Sequence, residues 1–216
     1  MSILKPQVPA AAEEAFSTQL ADFVWPSQGD RPRTITQEYV GEMPRIPSLS
    51  DLRQSGDAAL FHDAHHLYVL DLRDVADNAD VISPRAAGWR FFAGNSPGNI
   101  VMATVKRKGD NWRMTSSHYG ERVWEMLEAV RALDQMTELE GGKYEVRVLT
   151  VPGLNLEVFW LTDKQAGTDL AVPFPAPPKQ PIEELNKYPV YTMTNFLAAI
   201  RPLARQRLAA GSKYGG

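Results

Sequence analysis

KYEVRVLTVPGLNLEVFWLT, residues 143–162, decides how this chain folds. Its first nine residues have the apolar, β-branched character of a strand, and Leu154, Leu156, Val158 and Trp160 then fall on one face of a second. Pro152-Gly153 suits the central pair of a type II turn, with the positive φ at the glycine. Two antiparallel strands are expected. "DKQAGTD" (163–169) then reads as a turn and "LAVPF" (170–174) as a short third strand. After the proline-rich "PFPAPPKQP" (173–181), Thr192 or Thr194 can cap a final helix on which Phe196, Ile200, Leu203, Ala204 and Leu208 share a face. Pro202 lies inside that helix and is expected to kink or split it.

The same order is legible upstream. "GWRFFAG" (88–94) reads as a strand, "NSPG" as a turn and "NIVMATVKRK" (99–108) as a longer strand. "KGDN" is a hairpin signal and "WRMTSS" the returning strand. "GERVWEMLEAVRALDQM" (120–136) carries Val123, Leu127, Val130 and Leu133 at helical spacing. "HLYVLDL" (66–72) adds one more strand. Strands in runs, each followed by a helix, predict an α+β domain of two layers, a mainly antiparallel sheet with helices on one face. The other face is left open unless the N-terminal arm covers it. The turns "SPGN" and "VPGL" lie 55 residues apart, so the two runs can be read as β-β-β-α pseudo-repeats, although their low mutual identity leaves duplication open.

Residues 1–58 read as an N-terminal helix and irregular arm, and residues 59–216 as a single α+β domain with a C-terminal helix. In the helix, over 11–24, Phe16, Leu20, Phe23 and Val24 form one stripe, and Pro26 stops it. The arm, 26–58, holds four prolines and no sustained period.

The bulk of the chain narrows the function classes. Hydrophobic content of 44% and charged content of 23% are ordinary for a globular protein, so 216 residues can bury a core unaided. The absence of cysteine excludes disulfides, thiolate metal sites and a thiol nucleophile. No signal-peptide run or membrane-length apolar stretch is present, and a soluble, cytoplasmic protein without membrane contact is expected.

"FHDAHHLYVLDL" (61–72) holds three of the four histidines. His62 and His66 share a face whether the segment is extended or helical, and His118 could complete a zinc site with them. No HExxH or related pattern accompanies them, and the leading interpretation is a polar entry to a strand.

Residues 85–113 are the more distinctive stretch. Arg85, Arg90, Lys106, Arg107, Lys108 and Arg113 face a single acid, Asp110, a local charge of +5 in a chain of −3. Trp89, Phe91, Phe92 and Trp112 are interleaved with them. Alternation puts Trp89 and Phe91 in the core and leaves Arg90 and Phe92 partly exposed.

Catalytic signatures are missing. There is no GxSxG elbow, Walker loop or GxGxxG after a strand. Ser116 and His118 share a strand face but stand roughly 7 Å apart, too far for a direct hydrogen bond. No carboxylate pair stands out among Glu183-Glu184, Glu138 with Glu140, and Asp71 with Asp74. The expectation is therefore a non-enzymatic interaction or scaffolding module with no cofactor. It would bind another protein through Arg90, Lys106, Arg107, Lys108, Trp112 and Arg113, with the proline-rich loop as a second contact. The alternatives are a metal-binding protein or metal-dependent hydrolase built on His62, His66 and His118, and a binder of anionic polymer. A nucleic-acid partner is not expected, because no RNP, KH or zinc-finger pattern is present.

Overall fold

The computed structural model describes residues 2–22, 61–77, 84–96, 99–119, 121–133, 135–136, 139–163, 167–173 and 189–211. Among these, nine strands and four α-helices form in the order β1 (Ser2–Leu4), α1 (Ala10–Asp22), β2 (Phe61–Val69), α2 (Leu72–Asp77), β3 (Arg85–Ser96), β4 (Asn99–Lys108), β5 (Asn111–Tyr119), α3 (Glu121–Leu133), β6 (Lys143–Val151), β7 (Leu156–Thr162), β8 (Asp169–Pro173), β9 (Tyr191–Thr192) and α4 (Met193–Gly211). Hydrogen bonding orders the sheet β5-β4-β3-β2-β6-β7-β8-β9, with β1 joined to β6 outside this path. Pairs β4–β5, β6–β7, β7–β8 and β8–β9 are antiparallel, whereas β1 and β2 both run parallel to β6. The fold is α+β with a mainly antiparallel sheet. The strict β-β-β-α repeat is not reproduced, because β9 intervenes between the second meander and its helix.

No helix among the described residues is long and apolar enough to cross a membrane. The arm at 26–58, the helix residues Phe23 and Val24, and residues 174–181 of the proline-rich loop lie outside the described residues. Contacts divide the chain into two compact units, one of residues 1–7, 65–90 and 126–216, the other of residues 8–64 and 91–125.

In the first unit, the alternation along β6 and β7 does what the sequence leads one to expect. Leu149, Val151, Leu156, Val158 and Trp160, with Ala171 of β8, form one buried cluster with Met193, Phe196, Leu197, Ile200 and Ala204 of α4 and Val75 and Ala76 of α2. Each fully buried large side chain there contributes roughly 1.5–3 kcal/mol. The helical residues recur at three- and four-residue steps, which keeps them on one stripe. Thr192 is the cap, its Oγ1 accepting the Asn195 N–H at 3.2 Å. α4 runs unbroken through Pro202, so the helix is not split there. Pro202 and Ala198, whose carbonyl the proline leaves unbonded, are both exposed, and water can serve that oxygen. At the end of α2, the Arg205 guanidinium donates to the Ala76 carbonyl at 3.0 Å, satisfying a helix-terminal acceptor.

The opposite face of β6–β8 is also closed. Val146, Val148, Phe159, Leu161 and Val172 are fully buried, so this part of the sheet has no open side. The run "VFWL" in β7 is the nearly continuous apolar pattern of a strand covered on both faces.

The turn between β6 and β7 differs from the type II expectation. Pro152–Leu154 form a 3-10 turn, and the residue at positive φ is Asn155 (φ 50°), whose N–H donates to the Pro152 carbonyl at 3.0 Å. Asparagine is among the few side chains that tolerate this region. Gly153 is needed for room: a Cβ there would sit 2.9–3.2 Å from the Leu72 side chain.

In the second unit, α1 lies against β4 and β5. Phe16 of α1 stacks on Phe91 of β3, with centroids 4.7 Å apart and planes within 6°. β5 is the last strand in the sheet order, and Gln19 of α1 covers part of its outer edge. The Gln19 side-chain oxygen accepts the Met114 N–H at 2.8 Å, and its nitrogen approaches the Trp112 carbonyl at 3.5 Å. An amide serving the carbonyl of one residue and the N–H two residues on occupies the place of a neighbouring strand's peptide group. Exposed edges need such cover.

Candidate functional site

The β4–β5 hairpin is built by sequence into a projecting cationic tip. Val101, Met102, Ala103, Thr104 and Val105 of β4 are all buried, and the next three residues, Lys106, Arg107 and Lys108, are all exposed. Gly109 at φ 62° opens the turn, the pattern of a II′ hairpin. The returning strand pairs Asn111 with Lys108, Trp112 with Arg107, and Arg113 with Lys106.

That register sorts the charges. Directly opposed residues share a face, so Lys106, Lys108 and Arg113 stand on one side, with Arg107 and half-buried Trp112 on the other. Arg107 turns back on its own turn, donating through Nε to the Gly109 carbonyl at 3.1 Å and reaching Asp110 at 3.8 Å. Asp110, the one acid of the tip, is thus turned toward Arg107. Lys106 and Arg113 remain as like charges opposite one another, an arrangement that costs some tenths of a kcal/mol.

Two of the residues expected to be exposed are not. Phe92 is fully buried and Arg90 is 6% exposed. The Arg90 guanidinium donates to Glu157 of β7 at 2.8 Å, with a longer second contact of 3.5 Å. Arg90 is therefore removed from the proposed binding surface by an ion pair in the first unit.

His65 and His66 act as pegs between β2 and β6. Segment 61–69 is extended, as the polar-entry interpretation requires, although the strand already includes His62, His65 and His66. β6 pairs with β2 only over Val148–Thr150 and with β1 over Lys143–Glu145. In the gap, His65 Nδ1 donates to the Val146 carbonyl at 3.1 Å, and His66 Nδ1 meets Glu145 Oε1 at 3.2 Å. Because a carbonyl can only accept, the His65 proton is on Nδ1. The His66 ring also lies 3.8 Å from that of Trp89. The side chain of His62 is outside the described residues, and His118 is exposed on β5 opposite Met102. No group of three or more His, Cys, Asp or Glu able to hold a metal occurs among the described residues.

A second charged cluster centres on β6. Glu145, 8% exposed, receives Arg147 Nε at 2.9 Å on Oε1 and Arg147 Nη2 at 3.1 Å on Oε2. The guanidinium lies 4.9 Å from the centre of the Trp160 ring and 5.3 Å from that of Tyr68. Arg147 holds the Glu145 carboxyl down to about 2 against the opposing effect of burial, with His66 adding to the pull. Burial is the largest single influence on Arg147 and disfavours its charge, but Glu145, Tyr68 and Asp169 together outweigh it and the guanidinium is raised above its ordinary value. The signal for this cluster was present: in "KYEVRVLTV", Glu145 and Arg147 alternate onto the face whose later members are Leu149 and Val151. The Arg147–Glu145 and His66–Glu145 pairs tie side chains of β2 and β6 to one another, which suits a clasp between strands better than a reactive site.

No family model, curated protein or solved structure matches this chain.

Proposed function

We propose that this protein is a non-enzymatic binding module that docks an acidic surface of a partner protein on the tip of the β4–β5 hairpin. The observation that carries this reading is the Lys106–Arg113 pair. Two like charges face each other across the ladder, Lys108 stands beside them, and no acid of the tip lies on that side. A carboxylate-bearing partner would turn this small repulsion into attraction and speed encounter.

A protein partner fits better than nucleic acid. The net charge of −3 opposes a polyanion at long range, and the aromatic residue of the tip, Trp112, lies on the face of Arg107, away from Lys106, Lys108 and Arg113. Among the described residues, base stacking beside these three cations has no platform on the hairpin tip.

The test compares the native chain with the variant Lys106→Ala/Lys108→Ala/Arg113→Ala. Both are immobilised and used to capture proteins from lysate, quantified by mass spectrometry, with poly-glutamate and RNA as competitors. Acidic proteins lost by the variant, and released by poly-glutamate or moderate salt, support the reading. Equal capture by both proteins refutes it, and release by RNA alone would transfer the tip to nucleic-acid binding.

A further inference from the structure

β1 is held to its unit by backbone more than by side chains. Ser2, Ile3 and Leu4 lie in parallel register with Lys143, Tyr144 and Glu145. Ile3 is only half-buried and Leu4 is 41% exposed, the exposed large apolar side chain of the described residues. A three-residue strand with so little burial has a low local opening cost.

The place it fills is well defined. β7 occupies one edge of β6 from Glu145 to Val151, so β1 and β2 must share the other. β2 takes only Val148–Thr150 of that edge. When β1 leaves, the N–H and C=O groups of Lys143–Glu145 on that side face solvent, and a vacant edge is a template for another strand.

The connection to α1 favours reach over return. "KPQVP", residues 5–9, has prolines at positions 6 and 9 that cannot donate to a ladder, and each biases the residue before it toward extended backbone. Beyond it, α1 is anchored separately on β4 and β5.

We infer that β1 is an exchangeable strand, and that the slot on β6 accepts β1 from a second copy of this chain in a reciprocal dimer. The contacts are the same within one chain or between two, so the exchange costs association entropy and little else. The segment that leaves and the segment that arrives are identical, which fixes the occupant of the slot.

The chain has no cysteine, which makes the test clean. In the variant Ile3→Cys/Tyr144→Cys the two thiols replace residues in direct register, at a strand spacing that a disulfide can span. After equilibration at rising protein concentration in a glutathione redox buffer, non-reducing electrophoresis should show a covalent dimer whose share grows with concentration. In a mixture of heavy- and light-isotope chains, the dimer should contain peptide 3 of one label bonded to peptide 144 of the other. Bridged monomer alone at every concentration overturns the inference. Sedimentation of the unaltered chain is the second reading. A dimer that is lost on deleting residues 2–4 supports exchange. A monomer throughout, or a dimer indifferent to the deletion, refutes it.

Discussion

Glu145 and Arg147 are two residues apart on one face of β6 and bind each other through both carboxylate oxygens. On a flat strand such neighbours point the same way. The pair is therefore assembled as soon as β6 is extended, and Trp160, in register with Arg147 on β7, closes over the guanidinium.

The pair makes part of the stability depend on pH. Glu145 is depressed from 4.5 to about 2 in the folded chain. A carboxyl lowered by folding contributes stability that is complete above its unfolded value and disappears as pH falls through its folded one. Urea midpoints of the native chain should accordingly exceed those of Glu145→Gln by a constant margin near neutrality. That margin should shrink between pH values of about 4.5 and 2. A difference that stays unchanged to the acid end would count against the geometry.

Removing one partner is expected to cost more than weakening it. Glu145→Gln leaves a mostly buried guanidinium without its counter-charge, a loss of about 3 kcal/mol. Arg147→Lys keeps the charge but gives up the two-pronged contact and the flat stacking on Tyr68 and Trp160, for about 1–2 kcal/mol. Chemical denaturation of the two variants gives the order directly.

The turn at 152–155 offers a separate check. Asn155→Ala should destabilise by about 1 kcal/mol, since alanine pays more for the left-handed region, whereas Asn155→Gly should be nearly neutral. Gly153→Ala should cost about 1–3 kcal/mol by crowding Leu72. Leu72→Ala should recover part of that loss in the double variant, a coupling that a type II turn would not produce.

At the hairpin tip, Arg113→Glu places an acid opposite Lys106. Stability should rise by about 0.5 kcal/mol while capture of acidic partners falls. A variant that loses stability, or binds as before, would argue against an unpaired cationic face.

How much was legible depended on how local the causes were. β4 was readable to the residue, because its bounds are a glycine turn on one side and "SPG" on the other. The stripe Val123, Leu127, Val130, Leu133 gave α3 for the same reason, and all four are buried. α2 escaped notice because six residues are too few to show a period. Arg90 was misplaced because its partner, Glu157, lies 67 residues away and nothing near Arg90 announces it. The parallel pairing of β1 and β2 with β6 is equally non-local: register between distant strands leaves no mark in either sequence. The charged pair on β6 was a different failure, since the alternation that revealed Leu149 and Val151 also placed Glu145 and Arg147 beside them.

The Gln19 amide opens the edge of β5 to one form of chemical ageing. Slow hydrolysis of its side chain to glutamate would keep one oxygen for the Met114 N–H but turn a second, negative one toward the Trp112 carbonyl. The molecule would then repel its own cover at the end of the sheet where foreign chains can add. Old preparations kept near neutral pH should clump sooner than fresh ones, and conversion of residue 19 to glutamate should track the clumping.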